Sequence, residues 1–116
     1  MEISVFLNNI KQDFIESCNL YHPKQIGNTI TIYKEGVDLP ELDEFQLAIL
    51  GVEEDRNSFD NTGSKDAPNA IRRALYQLFN HWNNVNIIDL GNIKTGFEIE
   101  DTYFALSNVF TTLMKY

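Results

Sequence analysis

The stretch LAILGVEEDRNSFDNTGSKDAPNAIRRALYQLF, Leu47 to Phe79, decides the fold. Its first part, with Gln46 before it, is apolar throughout and ends at Gly51 and Val52. So short and continuous an apolar run predicts a strand over Gln46–Val52 with both faces covered, as in a parallel sheet. At the other end Ala70, Ile71, Ala74, Leu75, Leu78 and Phe79 fall on one stripe at helical spacing. This predicts a helix over Pro68–Asn80 that buries Ile71, Leu75 and Leu78 and turns Arg72, Arg73 and Gln77 the other way. Pro68 suits the first turn, where its missing N–H costs nothing, and Asp66 or Ser64 can cap it. The polar loop between strand and helix is long for such a connection.

Working outward, NVNIIDLGN predicts a second buried strand over Val85–Leu90 with a turn at Gly91, parallel to the first and its neighbour. Asp101 can cap a last helix that carries Leu106, Val109, Phe110 and Leu113 inward. Strand, helix, strand, helix over residues 46–116 is a βαβα unit, its crossover right-handed. Before it, Ile3, Phe6, Leu7, Ile10 and Phe14 recur at helical spacing and predict an N-terminal helix. TITIYK alternates Thr with Ile and predicts an edge strand with one face exposed; EGVDLPELDEF is an acidic loop. The whole chain is read as a single partial α/β domain, residues 1–45 forming its N-terminal helix and edge strand. The last helix stops at Tyr116 without Gly, Pro or a capping signal. Two strongly buried strands make a poor parallel sheet. The expectation is therefore the beginning of a larger α/β domain, self-associating, as a dimer, through uncovered apolar faces and a strand edge.

Composition narrows the functional classes. The 116 residues carry a formal net charge of −8, which argues against nucleic acid and anionic membranes as partners, since phosphates need clustered Lys and Arg. No apolar segment reaches the ~20 residues of a membrane span, and the acidic start MEISVFLNNIKQ is no signal peptide. One cysteine, Cys18, excludes a disulfide framework and a cysteine zinc site and fits a reducing, cytoplasmic setting. Cys18 falls on the apolar side of a predicted helix and is read as a buried structural thiol. His22 and His81 are isolated, one a loop residue before Pro23 and the other the end of a helix beside Trp82.

Loops at the carboxyl ends of parallel strands are where α/β proteins place their sites. Here Glu53, Glu54, Asp55 and Arg56 come first, then Asp60, Asn61, Ser64, Lys65 and Asp66. The glycine spacings of dinucleotide and P-loops are missing, and the carboxylates would repel phosphate. Hard cations favour such oxygens, but consecutive carboxylates point in different directions, so EED is not itself a cage. A receiver-like phosphoacceptor would use Glu54, Asp55 and Asp89, yet receivers pass almost directly from the acidic pair into a helix, and this loop does not.

ILGVEEDR, an Asn and a Gly in the loop, DAPNAIRRALYQL, NIIDLGNI and DTYFALSNVFTTL, taken in order, resemble the start of the ureohydrolases: arginases, agmatinases and formimidoylglutamases. The likeness covers Gln46 to Leu113, and E-D-R with D-L-G-N is most like the formimidoylglutamase branch, whose enzymes serve histidine catabolism. Glu53 replaces the family's usual proline, and Asp66-Ala67-Pro68 replaces its glycine-rich pattern. The resemblance implies the N-terminal part of a three-layer α/β/α parallel-sheet, arginase-like domain. For the intact protein it implies a binuclear manganese site that activates water against a guanidine or formimino carbon of a small amidine-type substrate. The family's metal ligands lie in D-x-H-x-D and D-x-D motifs that do not occur in this chain, so no catalytic or metal-binding residue is assigned to it and no cofactor is expected in it. Asp55, Arg56 and Asn61 match the loop at the substrate entrance, where Arg56 either meets a substrate carboxylate or pairs with Asp55, Asp60 or Glu54. Asp89 matches a family position that is not a ligand and is read as a carboxylate accepting backbone N–H bonds in a turn. A non-catalytic α/β interaction module is the reading from another class.

Overall fold

The computed structural model describes residues 3–34, 38–82 and 84–116. Its centre is one strand, β4 (Ile87–Ile93), in which all seven residues are buried. Strand β3 (Leu47–Val52) runs parallel along it from Leu47 opposite Ile87 to Val52 opposite Ile93. A strand has two edges, so the remaining pairings share the other one. Strand β2 (Thr31–Ile32) lies parallel to Ile88 and Asp89, and β1 (Leu7–Asn8) lies antiparallel to Ile93 and Asn92. The result is a mixed α/β domain on a four-stranded mixed sheet, and the two long strands are parallel neighbours as expected.

Several expectations are corrected. The N-terminal apolar residues do not form one helix. Ile3–Phe6 is a 3-10 turn, Leu7–Asn8 is β1, and only Gln12–Ser17 is α-helical (α1). Ile3, Leu7 and Ile10 are still buried; the sheet edge offers Leu7 and Asn8 backbone partners that a helix through Asn8 and Asn9 would forgo. The TITIYK strand shrinks to Thr31–Ile32 and follows a single helical turn, α2 (Ile26–Thr29). The acidic loop lies partly outside the described residues; within them it forms a turn at Leu42–Glu44 that buries Leu42. β3 is not covered on both faces: Leu47 and Ala48 are exposed and only Gly51 is buried, and among the described residues the strand is paired along one edge alone.

Helix α3 (Ala67–Leu75) is shorter than expected and rotated about its axis. Arg72 and Tyr76, just past its end, are buried, whereas Ile71 is 62% exposed and Leu78 is exposed too. One residue is about 100° of helix, so a shift of one position turns the predicted stripe off the sheet. Asp66 stands at the N-cap without a side-chain bond to the helix, and Pro68 occupies the first turn. Helix α4 (Ile99–Leu113) is capped by Glu98, not Asp101: the Glu98 side chain accepts the Asp101 N–H, and Asp101 Oδ2 accepts the Glu98 N–H at 3.0 Å, a reciprocal box. Its buried stripe is Thr102, Ala105 and Val109, with Leu106 and Leu113 partly buried, while Phe110 is exposed.

The helices lie on opposite faces of β4. Ile88, Leu90 and Ile93 join Ala105 and Val109 of α4 in the main core, while Asp89 and Asn92 meet Arg72 of α3. Strict alternation would put residues 89 and 92 on opposite faces. A bulge prevents this: β4 advances three residues, Asp89 to Asn92, while β3 advances two, Ile49 to Gly51. Gly91 carries the extra step at φ +84°, a left-handed conformation open to glycine, and a Cβ there would stand 2.2 Å from the Asn8 carbonyl oxygen. Gly51 has a packing reason instead: a Cβ would fall 1.9 Å from Asn92 Oδ1 and 2.8 Å from Pro68, so its absence lets the start of α3 settle on the sheet.

Candidate functional site

The loop after β3 closes against the segment after β4. Arg56 holds it there. Its Nε donates to Glu54 Oε2 at 2.8 Å and its Nη2 pairs with Glu54 Oε1, a two-point ion pair between neighbours in sequence. The same guanidinium donates to the carbonyls of Phe97 (2.7 Å) and Gly96 (3.0 Å). The Thr102 hydroxyl, in the first turn of α4, donates to Glu54 Oε1 at 2.9 Å and accepts the Gly96 N–H at 2.8 Å. Thr95 Oγ1 adds a bond to the Glu53 carbonyl at 3.0 Å. The Glu54 side chain is only 5% exposed, and Arg56 beside it holds the carboxyl at about 2, well below the usual range; the Thr102 hydroxyl acts in the same direction.

Beyond this clasp the loop turns on Asp55. Its Oδ2 accepts the Gly63 N–H at 2.6 Å and its carbonyl accepts the Ser58 N–H at 3.0 Å. Asp60 (φ 55°) and Gly63 (φ 101°) supply the left-handed turns. Of the three residues expected at a substrate entrance, Arg56 is thus committed to Glu54 and two carbonyls, and Asp55 organises the turn. Asn61 is exposed and joins the loop by its backbone, its N–H donating to Ser58 O and its carbonyl accepting from Ser64 N, both at 3.3 Å. Glu53, Glu54, Asp55, Arg56, Lys65, Asp66 and Thr95 line an open cleft of about 430 Å³ just outside the carboxyl ends of β3 and β4. Four carboxylates against two cations make it an acidic cleft.

Asp89 stands apart, on the α3 face. Arg72 Nε donates to its Oδ2 at 2.8 Å and Nη2 to its Oδ1 at 3.0 Å. The Tyr76 hydroxyl donates to Oδ2 at 2.6 Å and the Gly91 N–H to Oδ1 at 3.0 Å. Arg72 also reaches Asn92 Oδ1 (2.7 Å) and the carbonyl of the bulge residue Gly91 (2.8 Å). Asp89 therefore accepts the expected backbone N–H, but its main partner is a cation that the helical pattern placed outside. Burial, and then the Asp89 charge, push the Tyr76 phenol far above its ordinary value. So enclosed a carboxylate offers no accessible phosphoacceptor and shares no site with Glu54 and Asp55.

Sequence reasoning missed Tyr76, Asn92, Thr102 and Glu98. Tyr76 follows Arg72 by four residues, one helical turn, and Asn92 closes D-L-G-N; both signals were present but needed the cross-sheet partner to be read. Cys18 is buried as expected, its Sγ donating to Phe14 O at 3.4 Å, and burial raises its pKa. His22 Nδ1 accepts the Lys24 N–H, and exposed His81 lies in a loop well beyond the end of α3, not at a helix end.

Among the described residues no three His, Cys, Asp or Glu side chains gather as metal ligands, so the residues present do not fit a binuclear manganese centre. Among them, too, no helix is long and apolar enough to cross a membrane. Compared with known proteins, the chain matches no family model, no curated protein and no solved structure.

Proposed function

We propose that this chain is the N-terminal part of a cytoplasmic ureohydrolase-like protein, most like the formimidoylglutamase branch, whose intact form hydrolyses a C–N bond in a guanidino or formimino substrate. The acidic cleft at the carboxyl ends of β3 and β4 carries this reading. Guanidinium and amidinium groups are planar cations that carboxylates bind well, and open α/β sheets bind ligands at this end. The motifs behind the resemblance support it: AIRR and DLGN meet in one buried network, Arg72 with Asp89 and Asn92. The chain alone is proposed to be inactive, a wall and scaffold. In this reading manganese and its ligands belong to parts of the intact protein outside this chain, and no step is assigned to them here. Dimerisation is part of the proposal, through the unpaired edge of β3.

A second reading, a non-catalytic interaction module, is favoured by Phe59 and Phe97, 94% and 90% exposed near the same loop. Translating the reading frame beyond Tyr116 separates the two. D-x-H-x-D followed by D-x-D supports the hydrolase; a stop codon directly after Tyr116 overturns it in favour of the module.

A further inference from the structure

A different concavity lies between α1 and α3. Ile10, Lys11, Phe14, Asn69 and Arg73 line a cleft of about 330 Å³, with Arg72 at its base and Ser17 and Asp13 completing the wall. Three of the nine Lys and Arg residues of a chain with net charge −8 thus face one hollow. Arg72 is neutralised by Asp89 and forms a fixed floor. Among the described residues neither Lys11 nor Arg73 has a carboxylate partner, and the Asn69 amide has no hydrogen bond. Unpaired cations are common on a surface. These two share a cleft whose other walls, Ile10 and Phe14, are buried or half-buried apolar side chains. Asp13 is the single acid there, and its Oδ1 is engaged by the Phe14 N–H at 2.8 Å.

We infer that this cleft binds a small carboxylate with an apolar body. The Arg73 guanidinium presents the planar fork that matches a carboxylate, Lys11 adds a point charge, and Asn69 supplies a further donor. Ile10 and Phe14 take the apolar part, the usual division of labour in a small-molecule site. The cleft shares no residue with the acidic cleft after β3, and the inference does not rest on the proposed function.

The test is a titration followed by amide NMR, with sodium phenylacetate as the probe, inorganic phosphate as an anion without the apolar body, and benzyl alcohol as the body without the charge. Phenylacetate is expected to give saturable shifts confined to residues 10–17 and 69–73, and the other two weaker or none. K11Q and R73Q, both at exposed positions, should each weaken binding about three- to fivefold, as for solvent-accessible charge pairs, and D13N should tighten it. The unliganded spectra of the variants show that they fold. Absence of saturable shifts, binding elsewhere, phosphate binding as tightly as phenylacetate, or affinity indifferent to K11Q and R73Q would each overturn the inference.

Discussion

Arg72 Nε lies 2.8 Å from Asp89 Oδ2, with the two side chains 2% and 0% exposed, and this pair joins α3 to the central strand. Removing one partner strands the other charge in the interior at a cost of about 3–5 kcal/mol, which exceeds the ~1.5–3 kcal/mol gained by burying one core residue such as Leu90. Arg72→Met and Asp89→Leu are each expected to lower the denaturation midpoint severely. Tyr76→Phe removes one donor to a charged acceptor and should cost about 1.5–3 kcal/mol. Chemical denaturation of the three variants checks the order; a Tyr76→Phe loss as large as that of Arg72→Met would show that the ion pair is not the dominant tie.

Gly91→Ala should be destabilising by at least ~1–3 kcal/mol from its φ of +84° alone, with the clash against the Asn8 carbonyl added. The same change at Gly63 (φ +101°), where a Cβ meets nothing within 4 Å, should cost less. Thermal melts of the two variants give the comparison. Equal losses would mean that the approach of β1 to the bulge contributes nothing.

The Glu54 carboxyl is held at about 2 by Arg56, below an ordinary glutamate near 4.3. A depressed acid contributes stability that is complete above the unfolded value and is lost as pH falls through the folded one. The loop after β3 should therefore stay protected at pH 5 and open progressively between about pH 4 and 2. Glu54→Gln should open it already at neutral pH. Hydrogen exchange at Arg56, Ser58 and Gly63 reads this directly; protection in Glu54→Gln equal to that of the parent chain would contradict it.

Among the described residues β3 pairs on one edge, and its Leu47 and the neighbouring Ile71 are exposed. Unpaired apolar edges invite pairing with another strand. The chain is expected to be dimeric at tens of micromolar by light scattering. Ala48→Pro, which removes an N–H from this strand, and Ile49→Lys should shift it toward monomer. A strictly monomeric parent chain would sink the proposed dimer.

What the sequence revealed, and what it hid, follows from how each signal arises. The parallel pairing of the two long strands was legible because continuous apolar runs have few alternatives, but the second strand is Ile87–Ile93, not Val85–Leu90, and runs on through Gly91, where a turn was expected. The faces of α3 were not. Hydropathy ranks arginine as outermost, since burying a guanidinium is costly unless it is paired, and the pairing depends on Asp89 seventeen residues away. Nor does hydropathy register a bulge, so the shared face of Asp89 and Asn92 was invisible. The loop after β3 stood out by its length and polarity. Which of its acids Arg56 holds remained one of three choices until Glu54, two residues earlier, proved to be the partner.

The proposed activity of the intact protein is hydrolysis of an amidine-type C–N bond, with this chain as its inactive N-terminal part. The direct measurement is ammonia release from formiminoglutamate, and urea release from arginine and agmatine, with manganese present. It is made on the product of the complete reading frame and, in parallel, on this chain alone. Manganese-dependent turnover of one of these substrates is expected from the former, and background rates from the latter, with manganese bound weakly and in a salt-sensitive way. No turnover by the complete product, or turnover or stoichiometric micromolar manganese binding by this chain alone, would contradict it.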